Sequence, residues 1–131
     1  MSEVLHGACL CGQVAFDVHE PETMGVCHCT RCQRWTGAQG ATVVVAAAEN
    51  FKVTKGQDLL KQYHEEGFAD RYFCGNCGSS IYDDGGEKYY VGAGVLQDVK
   101  LEPAFHIQVA NKPAWHEIGG NAPQFPEWAP A

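Results

Sequence analysis

The chain has 131 residues, 45% of them apolar, and a formal net charge of -7, a size that suits one domain (1–131) able to bury about two thirds of the surface its unfolded form exposes. The charge is negative and no run of Lys or Arg offsets it, which argues against nucleic acid and anionic lipid as partners. No stretch is apolar for long enough to span a bilayer, and the opening MSEVLHGACL lacks a leader pattern, so a cytoplasmic protein is expected.

Gln13 to His19 alternates, with Val14, Phe16 and Val18 on one face, the period of a half-buried strand. Thr30 to Thr36 reads as a helical turn, and Ala41 to Ala47, short and β-branched, as a buried strand. Further short strands are expected at Asn50 to Thr54, Leu59 to His64, Arg71 to Phe73, Ser80 to Tyr82, Lys88 to Ala93 and Phe105 to Val109. Turn signals at Lys55-Gly56, Glu66-Gly67, Asp84-Gly85-Gly86 and Gly119-Gly120-Asn121 separate them. The proline-rich NAPQFPEWAPA is expected to pack as an extended tail through Phe125 and Trp128. An all-β sandwich of two sheets follows.

The seven cysteines fall into three clusters: Cys9 and Cys11; Cys27, Cys29 and Cys32; Cys74 and Cys77. An odd count in a cytosolic chain favours metal ligation or thiol chemistry over a disulfide framework. Cys9 and Cys11, two apart on an expected strand, point to one side. Cys74 and Cys77 share a tight turn, with Gly75 and Gly78, in the shape of a zinc knuckle. Together they would make a closed, structural four-thiolate zinc site; the alternative is two unrelated pairs of buried cysteines, and iron fits the same four sulfurs. Cys27, Cys29 and Cys32 are then three ligands without a fourth, the pattern of a catalytic zinc with an open position. Three thiolates leave a divalent ion near -1 overall, better suited to ionising a substrate thiol than to generating hydroxide. The alternative is a closed, purely structural site, with a fourth thiol or one of His28, His6, His64, His106 and His116 as fourth ligand.

HGACLCGQVAFDV, VCHCTRCQRWTGA, YFCGNCGSSIY, VGAGVLQDVKLEPAFHIQVANKPAWHEI and APQFPEWAP follow one another through most of the chain. This ordered series resembles the glutathione-dependent formaldehyde-activating enzyme family, which also takes in the centromere protein V-type domain. The resemblance implies an all-β zinc fold with two ions: a structural zinc on Cys9, Cys11, Cys74 and Cys77 and a catalytic zinc on Cys27, Cys29 and Cys32. It implies a carbon-sulfur lyase of the S-(hydroxymethyl)glutathione synthase type, adding glutathione or a similar small thiol to formaldehyde or another small aldehyde. Many members place two arginines after the third cysteine, where this chain has Gln33 and Arg34. Arg31 and Arg34, which flank Cys32, are the candidate contacts to an anionic thiol, with Lys112 as a further basic group. The competing expectation is a zinc-stabilised β-domain that binds a protein partner without catalysis, for which the four-sulfur site alone would suffice.

Other residues carry plainer expectations. Trp35, Trp115 and Trp128 are read as core aromatics, and His106 as a buried, hydrogen-bonded histidine. Gly37, Gly92 and Gly94 are read as positions that tolerate no side chain, and Asp83, Asp84 and Glu87 as a solvated turn.

Overall fold

A computed structural model describes residues 3–130. Among them the regular structure is mostly strand: β1 Val4–Ala8, β2 Ala15–His19, β3 Thr23–Cys27, helix α1 Thr30–Thr36, β4 Ala41–Ala47, β5 Phe51–Lys55, β6 Leu60–Tyr63, β7 Asp70–Cys74, β8 Ser80–Asp84, β9 Lys88–Gly92 and β10 Phe105–Ile107. No helix among the described residues is long and apolar enough to cross a membrane.

The chain divides into two compact units, one of residues up to Glu22 with Val44–Lys100, the other of Thr23–Val43 with residues from Leu101 onward. In the first unit, β1, β2 and β5 form an antiparallel sheet with Leu5 opposite Val18 and Val18 opposite Phe51. A second antiparallel sheet runs β9-β8-β7-β6, with the later half of β4 beside β9. The sheets share a core through Phe51, whose ring lies 5.3 Å from Phe16 and 4.4 Å from Tyr82. Around it Val14, Phe16, Val18, Val44, Ile81 and Val91 are almost wholly buried, the apolar burial that drives such packing. Two facing sheets are the sandwich expected of alternating strands.

In the second unit, β3 pairs in parallel with β10, placing Val26 opposite His106 and Cys27 opposite Ile107, and the first half of β4 lies beside β3. The proline-rich tail runs extended along β10 and the residues after it. His106 N–H donates to Pro123 O at 2.8 Å, Phe125 N–H to His106 O at 2.8 Å, and Gln108 N–H to Glu127 O at 2.7 Å. Those backbone bonds hold the tail rather than Trp128, which is 67% exposed.

The strands β1 and β3 carry no clear sequence signal, and both hide a glycine under an aromatic ring. A Cβ on Gly7 would meet Phe16 at 2.5 Å, and one on Gly25 would meet Phe105 at 2.3 Å, so the ring supplies the apolar cover that the strand's own residue lacks.

Several expectations are corrected. Trp115 is 72% exposed and Trp128 67% exposed, so neither belongs to the core, and Trp35 is only half-buried. Gly92 has room for a Cβ at ordinary contact distance and Gly94 has open space; Gly37 is instead the left-handed cap that ends α1. Cys9 and Cys11 lie past the end of β1 in a turn closed by Gly12 N–H to Cys9 O at 3.0 Å. Their sulfurs converge because the backbone turns, and not because a strand alternates.

Candidate metal centres

Seven free thiols gather into two groups, Cys9, Cys11, Cys74 and Cys77 in the first unit and Cys27, Cys29 and Cys32 in the second, each with all its sulfurs within 4.8 Å of one another. Cys9 and Cys11 sulfurs are 3.5 Å apart and Cys11 and Cys74 sulfurs 3.9 Å. A disulfide would bring them to about 2.05 Å, whereas four sulfurs about 2.3 Å from one tetrahedral ion stand roughly 3.8 Å apart. The spacing fits a four-thiolate zinc.

Local sequence builds that group. The turn after β7 folds so that Asn76 N–H and Cys77 N–H both donate to Cys74 Sγ at 3.4 Å, and Asn76 Nδ2 reaches Cys11 Sγ at 3.3 Å. Val14 N–H donates to Cys9 Sγ at 3.3 Å, and Ser79 Oγ lies 3.2 Å from Cys77 Sγ while accepting from Leu10 N–H at 3.0 Å. Donors aimed at sulfur favour the thiolate. The hydrogen bond with Ser79, with backbone donors behind it, pulls the Cys77 thiol down to about 5. Burial pushes Cys9 up, yet the Val14 amide and the bonds with Cys11 and Cys74 outweigh it, so its thiol falls below the usual 9.0. Asn76 and Ser79 carry no motif of their own; only the folded turn shows them as partners of the thiolates.

The three-cysteine group straddles the end of β3 and the start of α1. Cys29 is the N-cap of that helix, its sulfur accepting from Cys32 N–H at 3.3 Å, which supplies an orphan amide of the first turn with an acceptor. Cys32 lies one turn on and is buried, while Cys27 and Cys29 are half-buried. Hydrogen bonds with Cys27 and then Cys32 hold Cys29 far below its ordinary value; the bond with Cys29 pushes Cys27 up, and bonds with Cys27 and then Cys29 push Cys32 up. The fold packs tightly behind the group: a Cβ on Gly40 would stand 2.2 Å from Cys27 O and 3.2 Å from His28 Cα.

No His, Cys, Asp or Glu among the described residues joins these three sulfurs as a fourth ligand. His28, which lies between two of the cysteines, is turned inward and is 1% exposed. Its Nε2 stands 3.0 Å from His106 Nδ1, and its ring stacks on His116 with centroids 5.8 Å apart. Burial first, and the neighbouring imidazoles next, lower the pKa of His28 below the usual 6.5, and burial does the same to His106. His106 is thus the buried, hydrogen-bonded histidine expected, 6% exposed, while the pairing of the two rings has no signal in sequence because 78 residues separate them. Gln33, at the position where an arginine is common, uses Nε2 to bond His28 O and Asn111 O, each at 2.9 Å.

Charge is distributed unevenly. The unit with three cysteines holds three basic residues, Arg31, Arg34 and Lys112, and three acidic ones, Glu102, Glu117 and Glu127, so the whole -7 falls on the other unit. Residues 23–43 and 103–116 contain all three basic groups and no acid. Arg34 is exposed in the last turn of α1, Arg31 is half-buried, and Lys112 Nζ donates to His116 O at 2.7 Å. The acidic residues Asp83 and Asp84 serve structure: Arg71 Nη1 stands 3.5 Å from Asp83 Oδ2, and Gly86 N–H donates to Asp84 Oδ1 at 2.8 Å.

Comparison with known proteins places this geometry. Over 126 residues the chain is 28% identical to an uncharacterized lyase of Schizosaccharomyces pombe, covering 91% of this chain and 88% of that protein. Over 127 residues it is 26% identical to a Halomonas elongata protein named for glutathione-dependent formaldehyde activation, covering 88% and 81%. A crystal structure of a Rhodobacter sphaeroides protein superposes with a TM-score of 0.63 at 24% identity, over 91% of this chain and 98% of that one, and so shares the fold. The model of one family, described as glutathione-dependent formaldehyde-activating enzyme, matches residues 4–111. The chain belongs to the glutathione-dependent formaldehyde-activating enzyme family.

Proposed function

We propose that the protein is a zinc-dependent carbon-sulfur lyase of the S-(hydroxymethyl)glutathione synthase type, with Cys9, Cys11, Cys74 and Cys77 holding a structural ion and Cys27, Cys29 and Cys32 a catalytic one. The observation that carries the reading is the three-sulfur group with no fourth protein ligand among the described residues. A β-domain that only bound a partner would need nothing beyond the four-sulfur site.

A zinc ion held there would supply positive charge that lowers the pKa of a thiol arriving at the open position. The protein's own part is to keep that position clear and to orient what enters. Cys29, N-capping α1, and Cys32, one turn on, are fixed to the same short helix, so the open side is set by rigid backbone. Arg31, Arg34 and Lys112 lie in the sequence segments 23–43 and 103–116, which carry no Asp or Glu, and their positive charge favours a thiol that carries carboxylates, as glutathione does. In the addition, the S–H bond and the π bond of the aldehyde are exchanged for S–C and O–H bonds. The thiol proton ends on the former carbonyl oxygen, and nothing is oxidised or reduced.

The test compares two thiols. Formaldehyde adducts of glutathione and of 2-mercaptoethanol are brought to equilibrium, and their exchange rates are measured by NMR with native protein and with Arg34→Gln. The expected result is greater acceleration for glutathione, reduced in the variant. Equal acceleration of both thiols, or a preference for the neutral one, would contradict glutathione as the substrate.

A further inference from the structure

His28 stands between two candidate ligands and yet presents neither ring nitrogen to their group. Four separate contacts fix it. Its N–H donates to Ile107 O at 3.0 Å, its O accepts from Gln33 Nε2 at 2.9 Å, its Nε2 meets His106 Nδ1 at 3.0 Å, and its ring lies on that of His116. The same Gln33 nitrogen also bonds Asn111 O, so His28 is tied to β10 and to the segment that follows it.

Packing alone does not explain this choice of residue. Two buried imidazoles give up hydration that two leucines would not, and His28 Nδ1 is buried with no hydrogen-bond partner among the described residues. An unpaired buried polar atom forfeits its hydration without compensation, and the cost is smaller for a bare acceptor than for an orphan N–H. That asymmetry favours the tautomer in which His28 Nε2–H donates to His106 Nδ1. An apolar pair would fill the space but leave the rotation of the side chain open, whereas one N–H···N bond fixes the direction of the ring and with it the backbone that carries the ring. That backbone also carries Cys27 and Cys29 as its immediate neighbours.

We propose that the His28–His106 hydrogen bond is a positioning device: it sets the placement of Cys27 and Cys29 at the three-cysteine metal site and so holds that site's fourth position open. The inference rests on the metal reading given above. Neither histidine touches substrate; both act through the cysteines, as residues behind metal ligands commonly do.

Cobalt(II) reconstitution tests it, because thiolate-to-metal and d–d absorption bands report ligand placement independently of activity. Native protein is expected to bind two cobalt ions. In His106→Leu the four-cysteine site should keep its affinity and bands, while the three-cysteine site weakens by roughly 10- to 100-fold with shifted d–d bands. His106→Asn, whose amide can occupy the place of Nδ1, should recover most of the affinity that His106→Leu loses. If His106→Leu does not fold, His106→Gln takes its place, since its amide lies one methylene beyond Nδ1 and should shift the bands in the same way. Native protein that binds a single cobalt would overturn both the metal reading and the positioning role. Two ions in native protein, with native bands and affinity in the Leu or Gln variant, would overturn the positioning role alone, whatever happens to thermal stability.

Discussion

Gly40→Ala is a one-carbon change aimed at the backbone behind the three cysteines. The new Cβ would stand 2.2 Å from Cys27 O, when real Cβ contacts essentially never fall below 3.0 Å. The atom it meets is backbone, so no side chain can rotate away, and the strand end must move by about 0.8 Å, the difference between those two distances. Overpacking of this kind costs about 1–3 kcal/mol, which for a chain of this length lowers Tm by roughly 3 to 10 °C. Because the displaced groups belong to Cys27 and His28, zinc at the three-cysteine site should weaken while the four-cysteine site is unchanged. Gly94→Ala is the control: it meets nothing within 4 Å and has no positive φ, so loss of unfolded-state freedom should stabilise it by about 0.4–1 kcal/mol. Differential scanning calorimetry and zinc analysis of the two variants check the pair. If Gly40→Ala melts with native protein and keeps its full metal content, the claimed tight packing against Cys27 is wrong.

Cys74→Ser should leave the chain unfolded or aggregated by circular dichroism, since a structural zinc contributes ~10–16 kcal/mol of apparent binding free energy, whereas Cys27→Ser should stay folded and lose about one zinc by elemental analysis; equal unfolding by both would make the second site structural. His64, 2.5 Å from Asp70 Oδ1, is raised above 6.5 by that bond, and Asp70 is lowered by it; the NMR titration of His64 should move down toward 6.5 in Asp70→Asn, and an unmoved midpoint would deny the pair. The His64 contribution is present below pH 6.5 and is lost as pH rises through its elevated folded value, while that of Asp70 is lost as pH falls through its depressed one, so the pair is most effective between the two. Burial lowers His106 below 6.5, so the unfolded chain takes up its proton first and stability falls as pH drops below 6.5; urea midpoints at pH 7.5 and 5.5 should differ less in His106→Asn than in native protein.

Ligand spacing was the most legible part of the sequence. Pairs separated by one or two residues confine sulfurs locally whatever the fold, so CLC, CHCTRC and CGNC announce their groups, and the folded chain brings the first and last together. Strand β4 and helix α1 were readable to the residue, one as a β-branched run and the other as a helical turn, while the caps of that turn, Cys29 and Gly37, show only in the fold. Strands β1 and β3 were not, because beside Leu5 in β1 and Met24 and Val26 in β3 one buried position of each is a glycine, covered by Phe16 or Phe105 from another strand. Trp115 and Trp128 lie exposed although their apolar area argues for burial, because only the fold decides which aromatics find neighbours. The imidazole pair behind Cys27 and Cys29 was invisible for the same reason: strand pairing between β3 and β10, not local sequence, brings His106 to His28.

The claim that the three-cysteine site is catalytic is tested most directly by the rate of exchange between free glutathione and its formaldehyde adduct at equilibrium. Spontaneous addition makes mere appearance of the adduct uninformative. Two-dimensional exchange NMR at neutral pH should show faster interconversion with native protein than with Cys29→Ser at matched concentration, and the advantage should shrink as pH rises past the free thiol's pKa of about 8.5, where the uncatalysed reaction already has its thiolate. Acceleration that is identical in Cys29→Ser, or absent from native protein with two zinc ions bound, would contradict the account.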